Sequence, residues 1–209
     1  MPDAVIQQET VGSLKGQEIL QAARQIFIAR GYEATSMDAV AKAAGVSKAT
    51  VYAHFRSKSE LFTAIVAQVA SRLSGEFHAV MEAKLPLRQA LLRIGARFLD
   101  MLTDPERVRM YRMMVAEVDR FPELGRIFYK AGPAVMQECL AAILATAAAE
   151  GKLVVEDPAL AACQLFSLIK ADLHLRCLFN IAAPAADERE KMVLAAVETF
   201  LRAYGPRPS

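Results

Sequence analysis

Three observations predict an all-α protein. Apolar residues make up 54% of the 209-residue chain, with only 10 glycines and 9 prolines, and such a composition favours helices. Apolar residues recur at intervals of three and four, the spacing of one helix face, over long stretches. The alternation of a half-buried strand does not extend over a useful length. We expect a small helical domain over residues 14–60 and a larger one over residues 61–205.

The first two helices are bounded by residues typical of helix ends. Helix one is predicted over residues 14–30, with Gly31 as its stop. Helix two begins after Ser36, because Thr35 and Asp38 have the spacing of a capping box. A short helix of this kind, followed by a glycine, predicts a tight turn into the next helix.

Two further serines begin the helices that follow. Gly45 permits the positive φ of a tight turn, and Ser47 can cap a third helix that runs to about Phe55. Ser57 and Glu60 form a second capping box, which opens helix four. Helix four then carries an apolar stripe that is long enough to pack on both predicted domains.

Prolines and glycines divide the rest of the chain into six helices. They are predicted over residues 87–102, 105–120, 123–130, 133–150, 157–180 and 187–204. Pro105, Pro133 and Pro158 fit the first turns of their helices, where a missing N–H is tolerated. Asp104 and Asp157 stand where a helix cap is expected.

Helices two and three have the pattern of a helix-turn-helix. Ala41 is small where two helices must cross, and Val46, Val51 and Phe55 fall on the side that packs inward. From Ala39 to Ser59 every charged residue is basic, namely Lys42, Lys48, Arg56 and Lys58. A basic, outward-facing short helix is typical of a motif that enters the major groove of DNA.

The outward-facing side chains suit DNA. Lys48 and Thr50 are candidates for contacts with base edges, while Tyr52, His54 and Lys58 are candidates for contacts with phosphates. The helix N-termini capped by Ser36 and Ser47 can approach phosphates as well. Each residue has an ordinary alternative as a solvated lysine, a half-buried tyrosine or an inter-helix histidine. Their occurrence together on one short helix favours the DNA-binding interpretation.

One motif runs through this whole region. It reads Gly31-Tyr32-x-x-Thr35-Ser36-Met37-x-x-Val40-Ala41-x-x-Ala44-Gly45-Val46-Ser47-x-x-Thr50-Val51-Tyr52-x-His54-Phe55-x-Ser57-Lys58-x-x-Leu61. It resembles the N-terminal motif of the TetR family of bacterial transcriptional regulators. The resemblance implies an all-helical homodimer that binds a palindromic operator, usually as a repressor, and that a small molecule bound by the C-terminal domain releases from DNA.

The resemblance also assigns DNA-contacting positions. They are Thr35, Ser36, Lys48, Ala49, Thr50, Tyr52, His54 and Lys58. Ala49 departs from the bulkier or proline variants of the family, and it either touches a thymine methyl group or contributes little. Further along, the stretch from Ala116 to Pro133 resembles the AcrR-like and AefR-like members of the family.

The last two long helices are expected to form the dimer interface. The predicted helix 157–180 is apolar nearly all round, and such a helix is buried on most sides. The resemblance implies that it forms a four-helix interface with helix 187–204 and the same two helices of a second copy. Asp172 and Arg176 stand four residues apart, so we expect them to pair.

Methionines and aromatic residues of the central helices are candidates for an apolar effector pocket, in which a few polar groups orient the ligand. The candidate set is Phe98, Met101, Arg112, Met113, Met114, Glu117, Phe128, Met136, Asp172 and His174. The alternatives are ordinary core packing for the methionines, surface charge for Arg112 and Glu117, and an interface role for Asp172 and His174.

Other functional classes lack a sequence signal. Cys139, Cys163 and Cys177 show no spacing of a disulfide framework or zinc site, and no catalytic motif or cofactor-binding loop occurs. Met1 to Ser13 lacks a signal pattern, and no uninterrupted apolar run reaches about 18 residues. We expect a cytoplasmic protein without cofactor, metal or membrane segment. A DNA-binding protein without an effector, or an all-helical enzyme with an incidental helix-turn-helix, remains an alternative.

Overall fold

The computed structural model describes residues 13–206, so the predictions for the preceding twelve residues lie outside the described part. Throughout that part the regular elements are helices, which confirms the predicted fold class. The helices are α1 (Leu14–Arg30), α2 (Met37–Ala43), α3 (Lys48–His54), α4 (Lys58–Glu82), α5 (Leu87–Thr103), α6 (Pro105–Glu117), α7 (Pro122–Ala131), α8 (Pro133–Ala149), α9 (Pro158–Lys170), α10 (Leu173–Leu178) and α11 (Ala186–Tyr204).

The prediction of a single helix over residues 157–180 is wrong. The chain leaves α9 at Ala171, whose φ is 39°, and resumes as the short α10. The break buries Leu173 in the core and lets the His174 ring bond the carbonyl of Leu102, and neither glycine nor proline signals it in the sequence.

The predicted pair of Asp172 and Arg176 is wrong as well. The guanidinium of Arg176 bonds instead to the carboxylate of Glu188, with an N–O distance of 2.5 Å. Glu188 stands in the first turn of α11, so the ion pair joins α10 to a helix that follows it in the chain. Sequence spacing favoured Asp172 as the partner of Arg176, whereas the tertiary fold brings Glu188 to it.

The described chain forms two compact units. Unit 1 consists of the residues up to Val69 together with Arg109–Gly132, and unit 2 of Ala70–Val108 together with the residues from Pro133 onward. The units divide the chain differently from the predicted domains 14–60 and 61–205, because part of α6 and all of α7 belong to unit 1. The functional boundaries of the two domains stay a prediction.

Unit 1 is organised around α1 and an aromatic cluster. The ring of Tyr32 stacks on Phe27 with centroids 5.5 Å apart, and the ring of Phe62 meets both at their edges. Val40 on α2 and Val51 on α3 are completely buried in the same core. These contacts hold α2 and α3 in a fixed relation to α1 and to the start of α4.

Unit 2 is a layered bundle in which α9 packs on α5, α8 and α11. Gly95 permits a close approach, because a Cβ atom there would lie 2.8 Å from Cγ1 of Val193 on α11. Phe98 stacks on Phe166 with ring centroids 4.0 Å apart. Large aromatic and aliphatic side chains therefore fill the core of this unit.

One stretch of the described residues, Pro122–Ala149, has the length and composition of a membrane-spanning helix. It consists of two helices, α7 and α8, which are separated at Gly132. α8 buries Leu140 and Leu144 completely in the core of unit 2. The stretch is therefore not one continuous helix, and part of its apolar surface packs in the core of unit 2.

Candidate nucleic-acid interface

The helix-turn-helix is built from two capped helices and a glycine turn. Oγ of Ser36 accepts a hydrogen bond from the N–H of Ala39 at 3.1 Å and so caps α2. Oγ of Ser47 accepts one from the N–H of Thr50 at 3.0 Å and caps α3. Gly45 has a φ of 65°, the left-handed conformation predicted for the turn. Local bonds thus fix where both helices begin.

The outward face of α3 is short and polar. Lys48 and Ala49 are exposed, and 43% of the Tyr52 surface is accessible. Thr50 is half-buried as a residue, and its hydroxyl shares an exposed hydrogen bond of 2.8 Å with Oγ of Ser47. His54 is half-buried at the end of the helix. The exposed members can meet a ligand without any change in the fold.

Lys48 has a partner that the sequence did not reveal. Its ammonium lies 2.8 Å from the Asp38 carboxylate on α2 and 6.0 Å from the centroid of the Tyr52 ring. The hydrogen bond to Asp38 raises the pKa of Lys48 and so favours the charged form of its side chain. Both groups are exposed, so the ion pair holds the lysine weakly at the helix N-terminus.

The assignment of Thr35 as a DNA contact requires correction. Only 2% of this residue is exposed, and its hydroxyl donates to the carbonyl of Gly31 at 2.7 Å. Ser36, rather than Thr35, caps α2. The hydroxyl of Thr35 therefore bonds the end of α1 and has no surface to offer to a phosphate.

The ammonium of the half-buried Lys58, a predicted phosphate contact, bonds two backbone carbonyls of the chain itself, and its contact with DNA stays a prediction. Nζ donates to the carbonyls of Tyr32 at 2.8 Å and Glu33 at 3.0 Å. The same ammonium lies 4.6 Å from the centroid of the Tyr32 ring. Burial lowers the pKa of Lys58, although the neighbouring carboxylates of Glu117 and Glu33 oppose that shift.

Five of the ten effector-pocket candidates belong to unit 1. An open cleft of about 360 Å³ is lined by Ile28, Gly31, Arg109, Arg112, Met113, Ala116 and Glu117, so it includes three of them. Met114 is buried in the core, and Phe128 packs edge-on against Tyr111. Oε1 of Glu117 accepts backbone hydrogen bonds from the turn after α1. A polar group with bonded partners thus lies beside the cleft.

The other five candidates belong to unit 2. Phe98 and Met136 serve as core residues, Met101 is half-buried against the same core, and Asp172 is exposed. Nδ1 of His174 donates to the carbonyl of Leu102 at 2.9 Å, and burial lowers the pKa of this ring. The ten residues do not form one site within either unit, and a shared pocket stays a prediction.

Two protein-family models match this chain, one over the helix-turn-helix and one over the later helices. A family model described as bacterial regulatory proteins of the tetR family matches residues 19–65. A second model, the C-terminal domain of AefR-like transcriptional repressors, matches residues 89–206. The first match contains all of α2 and α3, and the second covers more than half of the chain.

Curated relatives include both repressors and activators. AcnR, a transcriptional repressor of Corynebacterium efficiens, is 26% identical over 188 residues, which are 89% of this chain and 92% of AcnR. FasR, a transcriptional activator of Mycolicibacterium smegmatis, is 35% identical over 85 residues, 41% of this chain. The matches to FasR and to the regulator YhgD of Bacillus subtilis span only 39% of those relatives.

Solved structures match nearly the whole chain. A Mesorhizobium loti protein assigned to the TetR family is 33% identical, with a TM-score of 0.81 over 92% of this chain and 97% of its own. The flavonoid-responsive regulator FrrA is 35% identical, with a TM-score of 0.74 over 93% and 98%. Together with the two family models, these matches show that the chain belongs to the TetR family of bacterial transcriptional regulators and has an AefR-like C-terminal domain.

Proposed function

We propose that the chain is a cytoplasmic, ligand-responsive repressor that binds a palindromic operator as a homodimer. In this proposal a small, largely apolar effector releases the protein from DNA. The observation that carries the proposal is the exposed polar face of α3, held on a capped helix-turn-helix. The relatives AcnR and FasR carry the names of a repressor and an activator, so the sign of regulation is itself part of the test.

The composition of the α3 face supports base recognition. Lys48 is charged and exposed at the first turn of the helix, which is the part that enters the major groove in such motifs. Tyr52 lies one turn further on the same side. Ser36, Ser47, Ala49, Thr50 and His54 complete the proposed contact set. Thr35 is omitted because only 2% of it is exposed, and we propose that Lys58 acts through the backbone carbonyls that it bonds.

Exposed apolar side chains support dimerisation through unit 2. Leu168 on α9 and Leu175 on α10 are exposed at 38% and 50%, and Phe179 after α10 at 67%. Leu160 and Leu194 add to the exposed apolar side chains of α9 and α11. Apolar side chains on helices near the end of the chain are suited to a symmetric interface with a second copy. A two-fold dimer would present two α3 helices to two half-sites about one DNA turn apart.

An effector can act through a shift between two conformations of the dimer. A ligand that binds better to the conformation with the wrong α3 spacing weakens DNA binding, and DNA weakens ligand binding by the same factor. The name of FrrA states that a similar chain responds to flavonoids. We therefore include planar aromatic compounds among the expected effectors.

DNA binding is tested by selecting duplexes with the purified full-length protein from a randomised pool. We expect enrichment of one inverted repeat, whose half-site centres lie about 10 base pairs apart or a multiple of that spacing. Binding of the enriched duplex must exceed that of a scrambled duplex of equal composition. Failure to enrich any sequence at low salt would remove the proposed function.

The effector is tested by titrating the complex of protein and selected duplex with a panel of flavonoids and of fatty acids. Fluorescence anisotropy of the labelled duplex measures release, and the melting temperature of the free protein measures binding. A true effector lowers the affinity for DNA and raises the melting temperature. If every compound leaves both unchanged, a regulator without an effector of these classes is favoured.

A further inference from the structure

The turn between α1 and α2 is held from two sides by opposite charges. Oε1 of Glu117 accepts hydrogen bonds from the N–H groups of Tyr32 at 3.1 Å and Glu33 at 3.4 Å. Nζ of Lys58 donates to the carbonyls of the same two residues, at 2.8 Å and 3.0 Å. One carboxylate thus accepts from the N–H groups of Tyr32 and Glu33, and one ammonium donates to the carbonyls of the same two residues.

Gly31 makes this arrangement sterically possible. Its φ of 81° lies in the region that favours glycine, and a Cβ atom at this position would lie 2.7 Å from Oε1 of Glu117. The glycine therefore serves twice, because it lets the chain leave α1 and lets the carboxylate reach the next two N–H groups.

The two charged groups come from distant parts of unit 1. Glu117 is the last residue of α6, while Lys58 is the first residue of α4. A second ion pair reinforces the same turn, since the guanidinium of Arg120 bonds the side-chain carboxylate of Glu33. The Tyr32 ring is anchored between Phe27, Phe62 and Phe121. The turn is thus fixed to elements outside the helix-turn-helix.

The turn leads directly into α2. After Glu33 the chain reaches Thr35, whose hydroxyl bonds the carbonyl of Gly31, and then Ser36, which caps α2. α2 in turn packs on α1 and α3. A change in the turn would therefore alter the direction in which α2, and with it the exposed face of α3, is presented.

We propose that Glu117 and Lys58 are positioning residues for DNA binding, which fix the turn at Tyr32 and Glu33 and so orient the helix-turn-helix. This inference rests on the proposed function. It makes α6 a determinant of DNA affinity without any contact between α6 and DNA. It also explains why the Lys58 ammonium bonds backbone carbonyls although the residue stands at a position that the family resemblance assigns to DNA.

Replacing Glu117 distinguishes a charge effect from a positioning effect, because the two change the affinity for DNA in opposite directions. Removing a negative charge from a DNA-binding protein strengthens its attraction to phosphates. We nevertheless expect Glu117→Ala to bind the selected duplex about tenfold more weakly than the wild type, because the turn loses its acceptor. Asp119→Ala removes the same charge from an exposed position two residues away and should bind as tightly as the wild type or more tightly.

The conservative variant separates positioning from charge. Glu117→Gln keeps an oxygen that can accept both N–H bonds, so its affinity should lie within about threefold of the wild type. Amide exchange of Tyr32 and Glu33, followed by NMR, should be faster in Glu117→Ala and near wild type in Glu117→Gln. These readouts are taken well below the melting temperature of each variant, so that a general loss of stability does not contribute. If Glu117→Ala does not fold, the positioning role is tested by the amide exchange and affinity of Glu117→Gln together with the salt dependence of Lys58→Met.

The basic member is tested by salt dependence. If Lys58 contacts a phosphate directly, its replacement should reduce the magnitude of the slope of log K against log salt by about 0.9, for the selected and the scrambled duplex alike. We expect Lys58→Met to weaken binding of the selected duplex about tenfold with an unchanged slope, and to leave the scrambled duplex almost unaffected. Lys130→Met, which removes an exposed lysine of α7, is the matched control and should change neither.

Two results would overturn the inference. One is wild-type affinity and amide exchange in Glu117→Ala, and the other is a reduced salt slope in Lys58→Met. If the wild-type protein enriches no duplex at all, the proposed function fails together with this inference. Tight wild-type binding combined with either of the two results removes the positioning role alone.

Discussion

The exposed surface of α3 differs in chemistry from the exposed surface of α9 and α10. α3 presents Lys48 and Tyr52 from a helix whose cap is an adjacent serine. The later pair of helices presents Leu168 and Leu175, and its direction changes at Ala171. The polar surface of α3 is stable in water without DNA. The surface of α9 and α10 exposes apolar area to water in the single chain. We propose on this basis that the two surfaces have different partners, DNA for the first and a second copy for the other.

Loss of the second copy should have the largest effect. The double variant Leu168→Glu, Leu175→Glu places charges on the exposed apolar side of α9 and α10, where a dimer would bury them without partners. We expect sedimentation velocity to show a monomer and the affinity for the selected duplex to fall at least about 100-fold, because the two half-sites are no longer bound together. Val154→Glu, at an exposed apolar residue of unit 2 outside these helices, should remain a dimer. A double variant that stays dimeric would move the interface elsewhere.

The first surface is tested by Lys48→Ala. We expect the variant to lose its preference at one base pair of each half-site, at a cost of about 1–3 kcal/mol there, because the lysine reads a base edge. Affinities for all single-base variants of the selected duplex measure this loss. Lys42→Ala, an exposed lysine of α2, should instead lower all affinities alike. An equal loss across all variants for Lys48→Ala would show that it contacts phosphate only.

A smaller effect, on stability, is expected at Thr35, a predicted DNA contact whose hydroxyl bonds the protein backbone instead. Thr35→Val keeps the shape of the buried side chain but removes the hydroxyl bond to the carbonyl of Gly31. We expect a loss of about 0.5–1.5 kcal/mol in the free energy of unfolding, measured by urea denaturation. The salt slope of DNA binding should not change. A slope reduced by about 0.9 with full stability would restore the phosphate contact.

The smallest effect is expected from the pH response of unit 2. Burial lowers the pKa of His174 in the folded chain, with a further contribution from Lys170, so the unfolded chain takes up the proton first. Stability from this ring is therefore full above about pH 6.5 and is lost as the pH falls below it. His174→Asn should flatten the fall in melting temperature between about pH 7 and pH 5, while His78→Asn, at an exposed histidine, should not. Parallel curves for His174→Asn and the wild type would contradict the assignment.

The helix-turn-helix was predictable because short-range interactions determine it. The caps at Ser36 and Ser47 act over three residues, and the left-handed turn at Gly45 needs only the absence of a Cβ atom. Each of these signals can be read in a window of a few residues. The bounds of α1, predicted over residues 14–30, agree with the structure for the same reason.

The remaining features depend on contacts that are distant in sequence. The carboxylate of Glu117 bonds Tyr32 across 85 positions, and the ammonium of Lys58 bonds the same residue across 26. The break at Ala171 accompanies the burial of Leu173 in the core, with no glycine or proline to mark it. A local pattern shows neither of these backbone contacts, so the sequence predicted Lys58 only as a DNA contact and Glu117 only as a candidate for the effector pocket. Only the tertiary fold brings both to one turn.

Amide hydrogen exchange of the full-length protein with and without the selected duplex tests the central claim most directly. We predict that DNA slows exchange in peptides that cover residues 36–54, with a much smaller change for the scrambled duplex. Dilution of the DNA-free protein to the monomer should instead speed exchange in peptides that cover residues 158–178. Protection of residues 158–178 by DNA, with none at residues 36–54, would contradict the assignment of the two surfaces.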